Sequence, residues 1–394
     1  MPLHDDPAQP AIAEGEPAPP HLGYLALFIR FLRFGAMAFG GPVAQIAMIR
    51  RELVEEERWL SADRFNKLLA VMQVLPGPEA HELCVHLGIR ARGRLGGVLA
   101  GLGFMLPGLI LMLLLAWAYT LLPIQGTVIG AMFLGVQAAV IAVIVRAVHR
   151  IGEHILLDRW LWLTAVAVAA ASLAGVSFWI VLPAAGAVYA MAKAGRPALA
   201  AAIVVLAAGA AALTWSSGFN TGSVLGTGVT AAAAPTMAAL FLVGLKGGLL
   251  TFGGAYTAIP FVRHDTVGRG WMSDAQFLDG VGLAGILPAP LVIFATFAGW
   301  MCGGLPGALA VTAGMFLPAF AFSLLFYERL ETVLEHERLQ RFLEGVAAGV
   351  VGLIVVTTLD LARATAARTP DLLASLLIFA AGLAIMYRWK SKLA

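Results

Sequence analysis

Phe39-Gly40-Gly41-Pro42, followed by Leu75-Pro76-Gly77-Pro78, is a pattern that this chain contains twice. The second copy reads Phe252-Gly253-Gly254-Ala255 and Leu287-Pro288-Ala289-Pro290. From the second glycine to the first proline is 35 positions in the first copy and 34 in the second. Between them Ile46, Arg50, Trp59, Ser61 and Phe65 match Ile259, Arg263, Trp271, Ser273 and Phe277. Further along, Gly103-Phe104-Met105-Leu106-Pro107 echoes Gly314-Met315-Phe316-Leu317-Pro318, and Phe133-Leu134 echoes Phe342-Leu343. The chain is internally duplicated. In an apolar chain, Gly/Pro interruptions at corresponding positions of two halves point to discontinuous helices around a binding site.

The chain is apolar enough for this rule to apply. Hydrophobic residues make up 60% of its 394 residues and charged ones 12%, about half the share of a soluble domain. That composition predicts an all-α, polytopic membrane protein embedded in the lipid bilayer. Two cysteines, Cys84 and Cys302, argue against a disulfide framework without fixing the redox compartment, and a net charge of +3 gives no reason to expect a nucleic-acid partner.

In order, residues 1–21 carry six prolines and four acids without an apolar run, which predicts a disordered, retained tail. Residues 22–214 form the first repeat half, 215–235 an uncharged Ser/Gly/Thr/Ala linker, and 236–394 the second half. Apolar runs predict spans over 22–39, 95–122, 124–145, 160–174, 176–192, 199–215, 236–252, 276–300, 306–327, 342–359 and 372–387. The charged segment 43–59 suits an interface or an aqueous vestibule. One set of connections carries fourteen basic residues, among them Arg90, Arg92, Arg94, Arg146, Arg150 and Lys193. The opposite set carries two, Arg363 and Arg368. The basic side is read as cytoplasmic, with both termini on it. The basic connection at 90–94 matches an uncharged one at 301–305, so the two repeats are expected to be inverted relative to each other.

The Phe-Gly-Gly-Pro, Pro-Gly-Pro-Glu-Ala and Phe-Gly-Gly-Ala-Tyr blocks resemble those of the chromate ion transporter family, in its long form with two homologous halves. The resemblance runs from about Leu22 to about Ile354. One departure is Pro288-Ala289-Pro290, where many relatives repeat Pro-Gly-Pro. The resemblance implies an oxyanion carrier, most simply of chromate leaving the cytoplasm across a bacterial inner membrane. Sulfate, a tetrahedral dianion of similar size, is the alternative substrate, and a passive anion channel the alternative mechanism. No nucleotide-binding motif is present, so an ion gradient is the expected energy source. No cofactor or metal is expected, and the oligomeric state is left open.

A dianion leaving water needs donors and positive charge in compensation. A helix that stops at Gly-Gly and restarts offers unpaired N–H groups at a positive dipole end. The candidates are therefore Gly40, Gly41 and Pro42, Pro76, Gly77 and Pro78, Gly253 and Gly254, and Pro288 and Pro290. The bland reading is that the glycines only let helices pack closely. Arg33 and Lys246 each stand six residues before the phenylalanine of their Phe-Gly-Gly. A membrane-embedded cation costs about 2.5–3.5 kcal/mol on insertion scales, so this matched pair is expected to face the anion together unless it snorkels to the interface. Arg30, unmatched, is expected to snorkel. Arg50 and Arg263 are matched beyond the breaks, to recruit the anion or to pair with Glu52 and Asp265. Glu79, His81 and Glu82 follow the first break only, as a proton-coupled carboxylate, as cavity lining, or with Glu79 merely capping the restarting helix. Gln45 and Tyr256 are neutral donors just past the glycines. His81 and His86 superficially suggest a zinc-protease helix, but five residues apart they diverge by about 140°, and an enzyme is not expected.

Overall fold

The computed structural model describes residues 17–122, 127–216, 234–252, 254–326 and 337–389. Among these the secondary structure is entirely helical. Helix α1 (Tyr24–Ala36) buries one stripe, Leu27, Phe31, Phe34 and Gly35, at helical spacing. The chain then breaks, and α2 (Gly41–Ile49) restarts with Pro42 in its first turn, where a missing N–H costs nothing. A π-helical stretch, Arg50–Glu56, follows. Helix α3 (Ala62–Val74) begins at Ser61, whose hydroxyl accepts from the Arg64 N–H. Its counterpart α11 (Asp274–Ile286) begins at the matched Ser273, in a reciprocal box with Gln276.

Helix α4 (Glu79–Leu121) is folded at Arg92–Gly93, where Gly93 has φ 63° and ψ −165°. Helix α12 (Phe294–Phe326) folds at the matched Gly303–Gly304, with Gly304 at φ 61° and ψ −154°. Each is a hairpin of two arms. A Cβ on Gly88 would stand 2.5 Å from the Gly96 carbonyl, and one on Gly299 would stand 2.6 Å from the Gly307 carbonyl. Only glycines allow arms this close.

The remaining helices are α5 (Val128–Ile155), α6 (Arg159–Leu173), α7 (Phe178–Lys193), α8 (Pro197–Ser216), α9 (Met237–Leu249), α10 (Ile259–Thr266), α13 (Glu337–Ala366) and α14 (Leu372–Trp389). Short 3-10 turns, Ala255–Ala258 and Leu291–Ile293, lead into α10 and α12. Asp158 caps α6 and also takes Lys193 Nζ at 2.6 Å and the Tyr189 hydroxyl at 3.0 Å. Burial pushes its carboxyl up, but these donors win and hold it at about 2.

The duplication is visible contact by contact. Gly103 packs on the Phe28 carbonyl and Leu32 nitrogen of α1, and Gly314 packs on the Phe241 carbonyl and Leu245 nitrogen of α9. These partners stand at matching positions, 213 residues apart. One large apolar core joins the second arm of α4 with α5, α7 and α9–α13, and a smaller one joins α1–α3 with the first arm of α4. The helices over Glu79–Leu121, Val128–Ile155, Leu291–Leu325 and Glu337–Ala366 are long and apolar enough to cross a membrane. Helix α8 exposes Leu199, Val204, Val205, Leu206 and Leu213. A helix apolar on every side belongs in lipid. The chain is a polytopic membrane protein.

Two expectations change here, at 276–300 and at Arg150. The run at 276–300 is two elements, because Leu287–Pro290 interrupts it between α11 and α12. Arg150, read as a loop residue, lies within α5, which continues to Ile155. The expected tail is described from Pro17 onward, and the Pro17 carbonyl accepts Arg90 Nη2 at 2.9 Å. The expected linker at 215–235 falls largely on residues 217–233, outside the described residues.

Candidate functional site

Gly40 and Gly41 take φ of 87° and 76°, a left-handed region that costs other residues roughly 1–2 kcal/mol each. In the second copy Gly254 has φ 134°, while Gly253 lies outside the described residues. The Phe252 N–H donates to Thr257 Oγ1 at 3.0 Å, and that hydroxyl donates to the Gly254 carbonyl at 2.6 Å. Thr257 thus ties this break together. Its counterpart in the first copy is Ala44, so the duplication gave no signal for it.

The two copies meet through their breaks, and they do so reciprocally. Buried Gln45, just past the first Gly-Gly, donates at 2.9 Å to the Ala38 carbonyl and at 2.9 Å to the Ala289 carbonyl of the second Pro-x-Pro. In the other direction, the Gly77 N–H of the first Pro-x-Pro donates at 2.9 Å to the carbonyl of Thr251, which precedes the second Phe-Gly-Gly. The same crossing explains Ala289. A Cβ on Gly77 would lie 3.4 Å from Ala319 Cβ, whereas a Cβ on Gly108 would lie 2.2 Å from Ala289 Cβ. Gly77 matches Ala289, and Gly108 matches Ala319. Each crossing therefore holds one glycine and one alanine, with the sides exchanged.

The matched cations are not opposed to each other. Arg33 forms an ion pair with Glu52, and Lys246 forms one with Asp265. Glu52 and Asp265 are themselves matched, so the duplicated unit is an ion pair within each copy. Lys246 also sits over the rings of Phe178 and Trp179, 5.1 and 5.7 Å from their centroids. Arg30 bonds Glu57 and stacks 5.5 Å from the Trp59 ring, so it is an ion-pair residue as well. Arg50 lies 3.3 Å from Glu55, and buried Arg263 lies 2.8 Å from Asp274 and 3.8 Å from Asp360. The expected pairing of Arg50 and Arg263 with Glu52 and Asp265 is thus replaced by other acids, because the lysine and arginine before the breaks occupy those two.

Other candidates are relocated too. His81 is enclosed by the rings of Phe316 and Phe320, with centroids at 5.0 and 4.7 Å, instead of facing an open cavity. Gln45 spends its amide hydrogens on backbone carbonyls, which makes it a staple between the breaks and not a free donor. Glu79 is buried in the first turn of α4, with Pro78 at the cap position. Arg150 is an exposed residue of α5, and its neighbour Ile151 approaches Gly254, at 3.8 Å from an added Cβ. Sequence reading placed Arg150 in a loop, having no way to see that α5 runs on to the second Gly-Gly break. It missed buried Asp279, which accepts from the Tyr119 hydroxyl at 2.8 Å and from Gln137 Nε2 at 2.9 Å.

Comparison with known proteins fits this geometry. Sequences described as chromate transporters match residues 25–192 and 238–394, covering both copies. The chain belongs to the chromate transporter family. A chromate transport protein of Pseudomonas aeruginosa is 62% identical over 389 residues, covering 98% of this chain and 92% of the relative. A chromate transport protein of Cupriavidus metallidurans is 31% identical, covering 90% of this chain and 86% of its own. A probable chromate transport protein of Synechococcus elongatus is 30% identical, covering 91% and 88%. No solved structure matches the chain.

Proposed function

We propose that this protein is a secondary transporter that carries chromate out of the cytoplasm across the cytoplasmic membrane. In this reading the anion is held where the two pairs of breaks cross. The observation that carries the reading is the reciprocal bonding of the breaks, Gln45 to Ala289 and Gly77 to Thr251. Such reciprocity supports a pseudo-twofold relation between the copies, and the charge asymmetry of the connections supports their being inverted with both termini cytoplasmic. The N-terminal ends of α2 and α4 supply N–H groups and positive dipole ends for an oxyanion. Arg150 supplies the full positive charge, the role that Arg33 and Lys246 do not fill because each is already paired.

The test is flux of radiolabelled chromate in proteoliposomes, with imposed pH and potential gradients and with sulfate as competitor. Gradient-dependent chromate flux supports the reading. Flux indifferent to every gradient except that of chromate itself would make the protein a passive pore. In the same assay Arg150→Gln should weaken apparent chromate affinity by about tenfold or more, since a dianion would lose a compensating full positive charge. Wild-type affinity in that variant would place the charge elsewhere.

A further inference from the structure

Glu82 lies fully buried on the first arm of α4, and neither of its carboxylate oxygens has a hydrogen-bond partner among the described residues. The carboxylate stands over the first Pro-x-Pro break, because a Cβ built on Gly77 would fall 2.3 Å from its Oε1. Gly77 is the residue whose N–H reaches across to Thr251 of the other copy. Glu82 therefore sits at the crossing itself. The second copy has Ile293 or a neighbouring apolar residue in its place, so the group is present once.

The surroundings limit what this carboxyl can bind. On its own helix the ionisable neighbours are Glu79, which acts on it electrostatically, and the buried His81 and His86. Cys84 and Arg90 complete that arm, with Arg90 bonded to the Trp59 and Pro17 carbonyls, and the nearest basic residues on other helices are Arg64 of α3 and Arg150 of α5. Helix α12 presents Ala319, within a stretch from Met315 to Phe322 that has no ionisable side chain. An ionised carboxylate without a donor is strongly disfavoured in such a place. A divalent ion would need a shell of oxygen ligands. No convergent group of three or more His, Cys, Asp or Glu exists among the described residues. A proton needs no shell.

We infer that Glu82 carries the proton coupled to anion movement, so that proton and anion occupy the crossing together. This rests on the transporter reading above. The positive end of α4 accommodates one negative group, either the anion or an ionised Glu82 in the first turn. A dianion arriving beside ionised Glu82 would meet like charge with little screening. A protonated Glu82 does not repel it. The proton comes from water on the loading side, forms an O–H bond on Glu82, and returns to water where the anion leaves. The moving unit, a dianion with one proton, has a single net negative charge.

The experiment is chromate binding to the purified full-length protein in weakly buffered alkaline solution, where chromate is the dianion, with proton uptake followed by an indicator dye. Above the pH at which Glu82 ionises in the anion-free protein, wild type should take up about one proton per chromate and lose about tenfold in affinity per pH unit; below it, uptake should vanish and affinity should be independent of pH. Glu82→Gln should bind with an affinity independent of pH and take up no proton. Chromate binding by wild type without proton uptake at any pH across the alkaline range, or uptake retained in Glu82→Gln, would overturn the inference. Should the glutamine variant fail to fold, Glu82→Asp takes its place, and a pH dependence unchanged from wild type would overturn the assignment to Glu82. No chromate binding by wild type would overturn the transport reading itself, which is a separate failure.

Discussion

Lys246→Met should destabilise the protein by about 3–5 kcal/mol, the usual cost of leaving one member of a buried ion pair alone. The side chain of Asp265 is only 3% exposed and that of Lys246 13%, so water cannot replace the lost partner. His264 and Arg269 remain near Asp265, at 3.0 and 3.5 Å, and keep the effect toward the lower end. The double variant Lys246→Met/Asp265→Asn should recover most of the loss, because the charge that needed a partner is gone. Arg33→Gln should cost less than about 1 kcal/mol, since that side chain is 55% exposed and its pairing competes with water. Denaturant or thermal unfolding in detergent measures all three. If Lys246→Met is as stable as wild type but binds chromate poorly, the lysine serves the anion and the ion-pair assignment is wrong.

Gly108→Ala should be harmful, and Ala289→Gly should rescue it. The added Cβ would stand 2.2 Å from Ala289 Cβ, with Ala289 Cα at 3.2 Å and the Pro288 carbonyl at 3.3 Å behind it. Overpacking of this kind costs about 1–3 kcal/mol. Here it would also push the second break away from the second arm of α4, so chromate flux should fall with stability. In the double variant the crossing has alanine on the arm and glycine at the break, as the Gly77–Ala319 crossing already does. A double-mutant cycle should therefore show strong favourable coupling. If the double variant is no better than Gly108→Ala alone, the exchange of glycine and alanine between the crossings is coincidental.

Much of this architecture was legible because it depends on local chemistry. Gly40 and Gly41 occupy a backbone region that L side chains avoid, and Pro42, Pro76 and Pro78 remove N–H groups that a continuous helix would need. A break written in such residues is visible without knowing what lies around it. The all-α, membrane-embedded character follows in the same way from the length of apolar runs, and the duplication from matched positions. The charges were different. Arg33 and Lys246 stood out because they were matched and costly, and that much held, but their partners Glu52 and Asp265 lie 19 residues further on. Whether they meet depends on how the chain returns after the break. The approach of Ile151 to Gly254 required α5 to run on to Ile155, which hydropathy could not report.

Sequence alone thus determined where the helices stop, because the stop is a property of each glycine and proline and of its nearest neighbours. Tertiary structure decided what faces each stop. Gln45 and Ala289 are 244 residues apart, and Gly77 and Thr251 are likewise brought together only by folding. The Ala289 that departs from the repeated motif has its reason in Gly108, on a different helix in the other half. Packing volume is shared across a contact, so a substitution on one side can be read only once the other side is known.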